Sequence, residues 1–190
     1  EAQEKFDSLQ KYYDELKAEF DAAFEELRES DEWKTAQEEG DRSALQSMYE
    51  ELEAVDDNLF AQKFLDAAEP FEGKPGEVMF LQKALEMARD GGIASVAVEG
   101  LIARHLDDKA WEEISLTWVY LSFSVPDRFD AFTDQVVENS KNDLVKAQVL
   151  YGKAQAIQYS TPRGQEPSEE SKAEIAELHA QVMKLAPNSI

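Results

Sequence analysis

Hydrophobic positions recur at helical spacing along almost the whole chain, and no clear alternation of apolar and polar residues marks a strand. The first long stretch places Phe6, Leu9, Tyr13, Leu16, Phe20, Ala23 and Leu27 at intervals of three and four, a heptad stripe on one side of a helix, with Glu and Lys on the other faces. A stripe of this kind demands cover, either from the rest of the chain or from the same helix of a second copy. Its aromatics suit irregular packing within the chain better than a regular two-stranded coil.

The stripe breaks at "SDEWKTAQEEGD", where Ser30 or Asp31 is placed to cap a short helix holding Trp33 and Ala36, and Gly40 to end it. A further helix carries Leu45, Met48, Leu52 and Val55. Asn58 is the expected N-cap of the next, through Phe60, Phe64, Leu65 and Ala68. "EPFEGKPGE" reads as a loop. The helix opened near Pro75 carries Val78, Leu81, Leu85 and Ala88, and "DGG", Asp90 to Gly92, reads as its stop. A helix over residues 93–105 holds Val96, Val98, Leu101 and Ile102. "LDDKAWEEISLTWVYLSFSVPD" predicts another, capped by an Asp and lined by Trp111, Ile114, Trp118 and Leu121, although residues 114–125 are rich enough in strand formers to leave a strand as the alternative. Pro126 and Asp127 start a helix with Phe129, Phe132, Val136 and Val137. Asn142 or Asp143 caps one from "NDLVKAQVLYGKAQAI", and Ser168 caps the last, with Ile175, Leu178, Val182 and Leu185 inward.

The predicted fold class is therefore all-α. It is an irregular stack of antiparallel helix hairpins, about eight or nine helices, of the α-solenoid or tetratricopeptide-like kind, with pair starts near 75, 107 and 142. The residue-level tetratricopeptide pattern is not met. Residues 1–57 are set apart as a long helix followed by short ones, and 58–190 as the repeat-like region, the two read as one continuous domain. The small face of Ala147, Gly152 and Ala154 predicts close approach of a neighbouring helix, with backbone contact to a ligand as the alternative. Gly in a helix interior costs about 1 kcal/mol against Ala.

Charge narrows the function classes. The chain holds 41 acidic against 19 basic residues, a formal net charge of −22. That sign repels nucleic-acid phosphates and anionic membrane surfaces, so neither is expected as a partner. No apolar run is long enough to insert in a membrane. The absence of cysteine removes disulfides, thiol nucleophiles and zinc–thiolate sites. The chain opens at Glu1 without methionine and stops at "KLAPNSI", which reads as a mature protein or a piece of a longer one.

Three stretches, "FAQKFLDAAEPFEGKPGEVMFLQKALEMA", "VVENSKNDLVKAQVLYGKAQAI" and "AEIAELHAQVMKLAPNSI", resemble the helical N-terminal regions of extracytoplasmic thioredoxin-like proteins of the TlpA type, common in planctomycete-like bacteria. The resemblance covers roughly 59–190 and rests on helix grammar: an Ala-ended helix, a Pro/Gly loop, a second Ala-rich helix, and an Asn/Ser break into a Gly- and Ala-containing helix. It implies an accessory helical part, with an adjoining thioredoxin-like domain as partner and an extracytoplasmic, periplasmic or envelope-associated setting. Redox activity in that family needs a Cys-x-x-Cys pair, so no redox residue carries over to this chain.

Candidate chemistry is sparse. His105 and His179 fall on separate helices without a second ligand at metal-binding spacing, and read as surface or helix-end residues. Asp127, Asp130 and Asp134 share a helix face and suit calcium by their oxygens, but no EF-hand loop accompanies them. Asp127 reads better as a cap and the others as a solvated face. The acids at 56–57 and 107–108 read as caps and first-turn residues. Trp111, Trp118, Tyr120 and Phe123 read as core, or as the lining of a peptide groove. No catalytic, cofactor-binding or metal-binding residue is assigned. The expected function is a non-catalytic scaffold contacting a protein partner. Two alternatives remain, an oligomerisation module through the 6–27 helix and a small-molecule-binding or enzymatic domain with a pocket between helices.

Overall fold

The structure is a computed structural model that describes residues 1–109, 111, 114–162 and 164–187. Of the segments singled out above, Ala110, Glu112, Glu113, Arg163 and residues 188–190 lie outside the described residues. Among the described residues there are ten α-helices and no strand, which decides the 114–125 alternative in favour of helix. The chain divides into two compact units, Glu1–Asp57 and Asn58–Ile190.

The first unit holds α1 (Ala2–Glu29), α2 (Asp31–Glu39) and α3 (Arg42–Glu50). Ser30 Oγ accepts the Trp33 amide and caps α2, Asp41 accepts the Ala44 amide and caps α3, and Gly40 closes α2 at φ 70°. Leu52 and Val55, expected to continue the third helix, fall beyond its end. The 28-residue α1 buries no residue at all. Among its aromatic contacts, Phe20 and Phe24 stack at 6.3 Å and meet Tyr49 edge-on at 5.9 and 5.3 Å, while Trp33 lies edge-on to Phe24 at 5.9 Å. Phe24 thus takes the place expected for Ala23, which is exposed. A straight helix of 3.6 residues per turn drifts from a strict heptad, so the contact moves one residue along. Ala36 is the one buried hydrophobic among the described residues of this unit.

The second unit holds α4 (Asp57–Ala68), α5 (Glu77–Met87), α6 (Gly91–His105), α7 (Ser115–Ser124), α8 (Pro126–Asn139), α9 (Asp143–Ser160) and α10 (Glu169–Leu185), with α4 starting at the last residue of the first unit. Several cap assignments shift. Asn58 lies inside the first turn of α4 instead of capping it, and its Oδ1 accepts the amides of Arg89 and Asp90 at 2.7 and 2.8 Å. The tight α5–α6 turn leaves those two donors without a helical partner, and Asn58 supplies the acceptor. "DGG" is a helix start, not a stop. Asp90 Oδ1 accepts from Gly92 and Ile93, and both glycines belong to α6. A Cβ on Gly91 would stand 2.5 Å from the Ser124 carbonyl oxygen, so glycine here serves close approach to the end of α7.

The helix expected from Asp107 begins at Ser115. Asp107 is engaged elsewhere: it accepts the Lys141 amide at 2.8 Å and the Ser140 hydroxyl at 3.1 Å, bracing the break between α8 and α9. The even spacing of pair starts is lost with it, since α5, α7 and α9 begin at Glu77, Ser115 and Asp143. Asp127 sits behind Pro126 in the first turn of α8, where Val125 occupies the cap position. Asn142 and Ser168 cap α9 and α10 as expected.

The small face of α9 serves two neighbours. Ala147, Leu150 and Ala154 pack with Leu178, Val182 and Ala186 of α10 and its end. Gly152 lies against α7, where an added Cβ would meet the Ser115 carbonyl oxygen at 2.7 Å and Trp118 Cβ at 2.8 Å. Both obstacles are backbone or backbone-proximal and cannot swing aside. Gly152→Ala is therefore expected to destabilise despite the better helix propensity of Ala, by a net ~1–2 kcal/mol, read as a lowered thermal midpoint.

Candidate functional site

The nearest approach to a chemical centre lies where the start of α5 meets the end of α6. The short turn between these helices folds them antiparallel, bringing Glu77 beside Arg104 and His105, 27 and 28 residues away. Glu77 is 2% exposed. Its Oε2 accepts the Gly73 amide at 2.6 Å and lies 2.8 Å from His105 Nε2. Arg104 Nε donates to both carboxylate oxygens at 3.1 Å, and its Nη2 donates to Oε1. Glu72 approaches the same guanidinium at 3.6 Å. Burial pushes the Glu77 carboxyl upward, but hydrogen bonds from Arg104, His105 and Gly73, together with the Arg104 charge, outweigh it and hold the group below its ordinary value. The same pairing raises Arg104. Helix dipoles act in the same sense, with an acid at the start of α5 and two bases at the end of α6.

His105 is the last residue of α6, at the helix end as expected, but it is buried and paired and not at the surface. It carries the cluster onward, for its carbonyl oxygen accepts from Trp111 Nε1 at 3.0 Å. In the sequence Glu77 shows only as an acid heading the apolar run "VMFL", with an Arg-His pair closing the next helix; their pairing comes from the turn between the two helices. Beside the cluster lies an open cleft of about 270 Å³ whose lining includes Asp66, Glu69, Glu72, Glu77 and Arg104. Contacts within the protein engage both oxygens of Glu77. The arrangement works as a clamp between α5 and α6.

The other singled-out residues separate. His179 is exposed and stacks on Tyr151 at 6.1 Å. Of the three aspartates on α8, Asp130 takes Lys153 Nζ at 2.8 Å, and Glu174 approaches that ammonium at 3.8 Å, so one lysine links α8, α9 and α10. Among the described residues no three His, Asp or Glu side chains converge to hold a metal ion, and no helix is long and apolar enough to cross a membrane.

The aromatic cluster of α7 splits into two faces. Trp111 and Trp118 are buried and touch at 5.6 Å between ring centroids. Tyr120 and Phe123 point outward, 52% and 56% exposed, and Leu116 joins them at 61%. These three stand at i, i+4 and i+7, one stripe of a helix that has no charged residue, and the Arg89 guanidinium lies 5.9 Å from the Tyr120 ring. Apolar on both faces, α7 buries only one of them. Compared with protein-family models, curated proteins and solved structures, the chain matches none.

Proposed function

We propose that the chain is a non-catalytic helical scaffold that holds a protein partner, with the outer face of α7 as a docking surface. One observation carries this reading: Leu116, Tyr120 and Phe123 form an exposed apolar stripe on a helix held in place by its buried side. Contiguous apolar surface of this kind marks interaction sites on soluble domains. Tyr and Phe are favoured at interface centres because they bring large contact area with few rotamers to freeze. The packed pairs α5–α6 and α9–α10 support an irregular hairpin stack as the frame. The resemblance noted for 59–190 supplies the proposed setting, an accessory part of a thioredoxin-like envelope protein.

The test is site-specific photocrosslinking in the native cell. A photoreactive residue at position 120 is expected to give one discrete adduct that Phe123→Glu abolishes, while the same probe at exposed Lys172 gives none. An adduct missing at position 120 in a folded chain, or one indifferent to Phe123→Glu, would sink the reading.

A further inference from the structure

The outer face of α7 has a size and a charge that restrict what can cover it. Leu116, Tyr120 and Phe123 each leave more than half of their surface open. An aromatic side chain carries ~150–250 Å² in all, so the three expose about 300 Å² together. That suffices for a binding patch on a monomer. It is less than half of the ~800 Å² that each side of a stable complex between folded proteins buries. Leu116 and Phe123 stand seven residues apart, so the stripe runs about 10 Å along the helix, two turns.

The charge is absent. Residues 114–126, bounded in the sequence by Glu113 and Asp127, are the longest run without Asp, Glu, Lys or Arg in a chain of net −22. The hydroxyls of Ser122 and Ser124 turn back onto the carbonyl oxygens of Val119 and Tyr120. Arg89, beside the Tyr120 ring, donates to the Glu86 carbonyl oxygen. A charge pressed onto this face loses its water and finds no opposite charge on α7.

We propose that the occupant is a single helix of another protein, apolar on its contact face and uncharged there. The proposal rests on the docking reading above and names what docks. Side chains at i, i+4 and i+7 form a ridge that enters the groove of a second helix. Strand addition needs a sheet edge, and the described residues contain no strand. A second copy of this chain is the poorer occupant: its own α7 offers an equally small face, and it brings a further −22.

The experiment titrates the full chain with three peptides: an Ala/Gln helix bearing Leu at i, i+4 and i+7, its scramble, and a counterpart with Lys in place of Gln. The Ala/Gln helix is expected to bind, with an affinity that does not fall between ~0.01 and ~1 M salt, where the screening length drops from ~30 to ~3 Å. The scramble should bind at least about tenfold more weakly, and Phe123→Glu should weaken the helix about tenfold or more. The Lys peptide is drawn to the acidic surface at large, so its binding falls with salt and ignores Phe123→Glu. Equal binding of the scramble, no binding of the Ala/Gln helix, or a helix affinity that survives Phe123→Glu overturns the proposal. So does sedimentation showing a dimer that Phe123→Glu dissolves, which would make a second copy the occupant. The crosslink at position 120 separates this proposal from the reading beneath it. An adduct abolished by Phe123→Glu, beside an Ala/Gln helix that fails to bind, keeps the docking face and removes the uncharged helix as its occupant.

Discussion

Glu77→Ala is expected to lower the unfolding free energy by about 3–5 kcal/mol, because it removes one partner from a buried ion pair and strands the other. Arg104 would keep Glu72 at 3.6 Å and partial access to water, its side chain being 32% exposed. His105 would face the cavity without its acceptor, and the Gly73 amide would lose its bond as well. Glu77→Gln keeps the shape and one acceptor, so it should cost less. The two variants also separate charge from packing through pH. The folded-state value of Glu77 lies below the ordinary 4.5, so the unfolded chain takes up the proton first as pH falls. Its contribution is complete above that ordinary value and is lost as pH drops through the lower folded one. Urea unfolding across acid pH should therefore show the wild type and Glu77→Gln furthest apart near neutrality and converging in acid. A constant gap, or a Glu77→Ala cost below about 1 kcal/mol, contradicts the clamp.

This clamp shows where the sequence was legible and where it was not. Helix identity followed from apolar periodicity, and Ser30, Asn142 and Ser168 cap where their side chains predict, since a cap needs only its own next turn. Asn58 and Asp107 have the same chemistry but spend their acceptors 31 and 34 residues away, on turns that only tertiary packing delivers to them. Gly91 misled for a related reason. Glycine after Asp is a sound stop signal, and the Ser124 carbonyl oxygen that requires it to be glycine lies in another helix. Glu77 was not singled out: it is a first-turn acid answering the dipole of α5, a common feature of helix starts. Its burial became visible only when the antiparallel turn set Arg104 and His105 opposite. The α7 face failed differently. Tyr120 and Phe123 read first as core, with a groove lining as the alternative, and nothing in their spacing tells which of two apolar faces finds a neighbour.

Trp118→Ala is the second large effect, expected to cost about 3–5 kcal/mol. The indole is fully buried, packs on Trp111 at 5.6 Å and Phe129 at 6.1 Å, and donates from Nε1 to Thr133 Oγ1 at 3.0 Å. Thr133 in turn donates to the Phe129 carbonyl oxygen, so its remaining lone pair is left dry when the indole goes. Trp118→Phe keeps a ring but not the donor, and should cost roughly 1–2 kcal/mol. A path of direct contacts then runs from Glu77 through His105, Trp111 and Trp118 to Thr133, joining α5, α6, α7 and α8. Residues linked in one such network do not contribute independently. The milder pair, Glu77→Gln with Trp118→Phe, leaves a folded chain on which this can be measured. A double-mutant cycle is expected to return a coupling of about 0.5 kcal/mol or more, the double variant losing less than its parts, because each single change already loosens Trp111 between them. Strict additivity would mean that the tryptophan pair and the acid clamp are held by separate parts of the unit, and that the Trp111–His105 hydrogen bond transmits nothing.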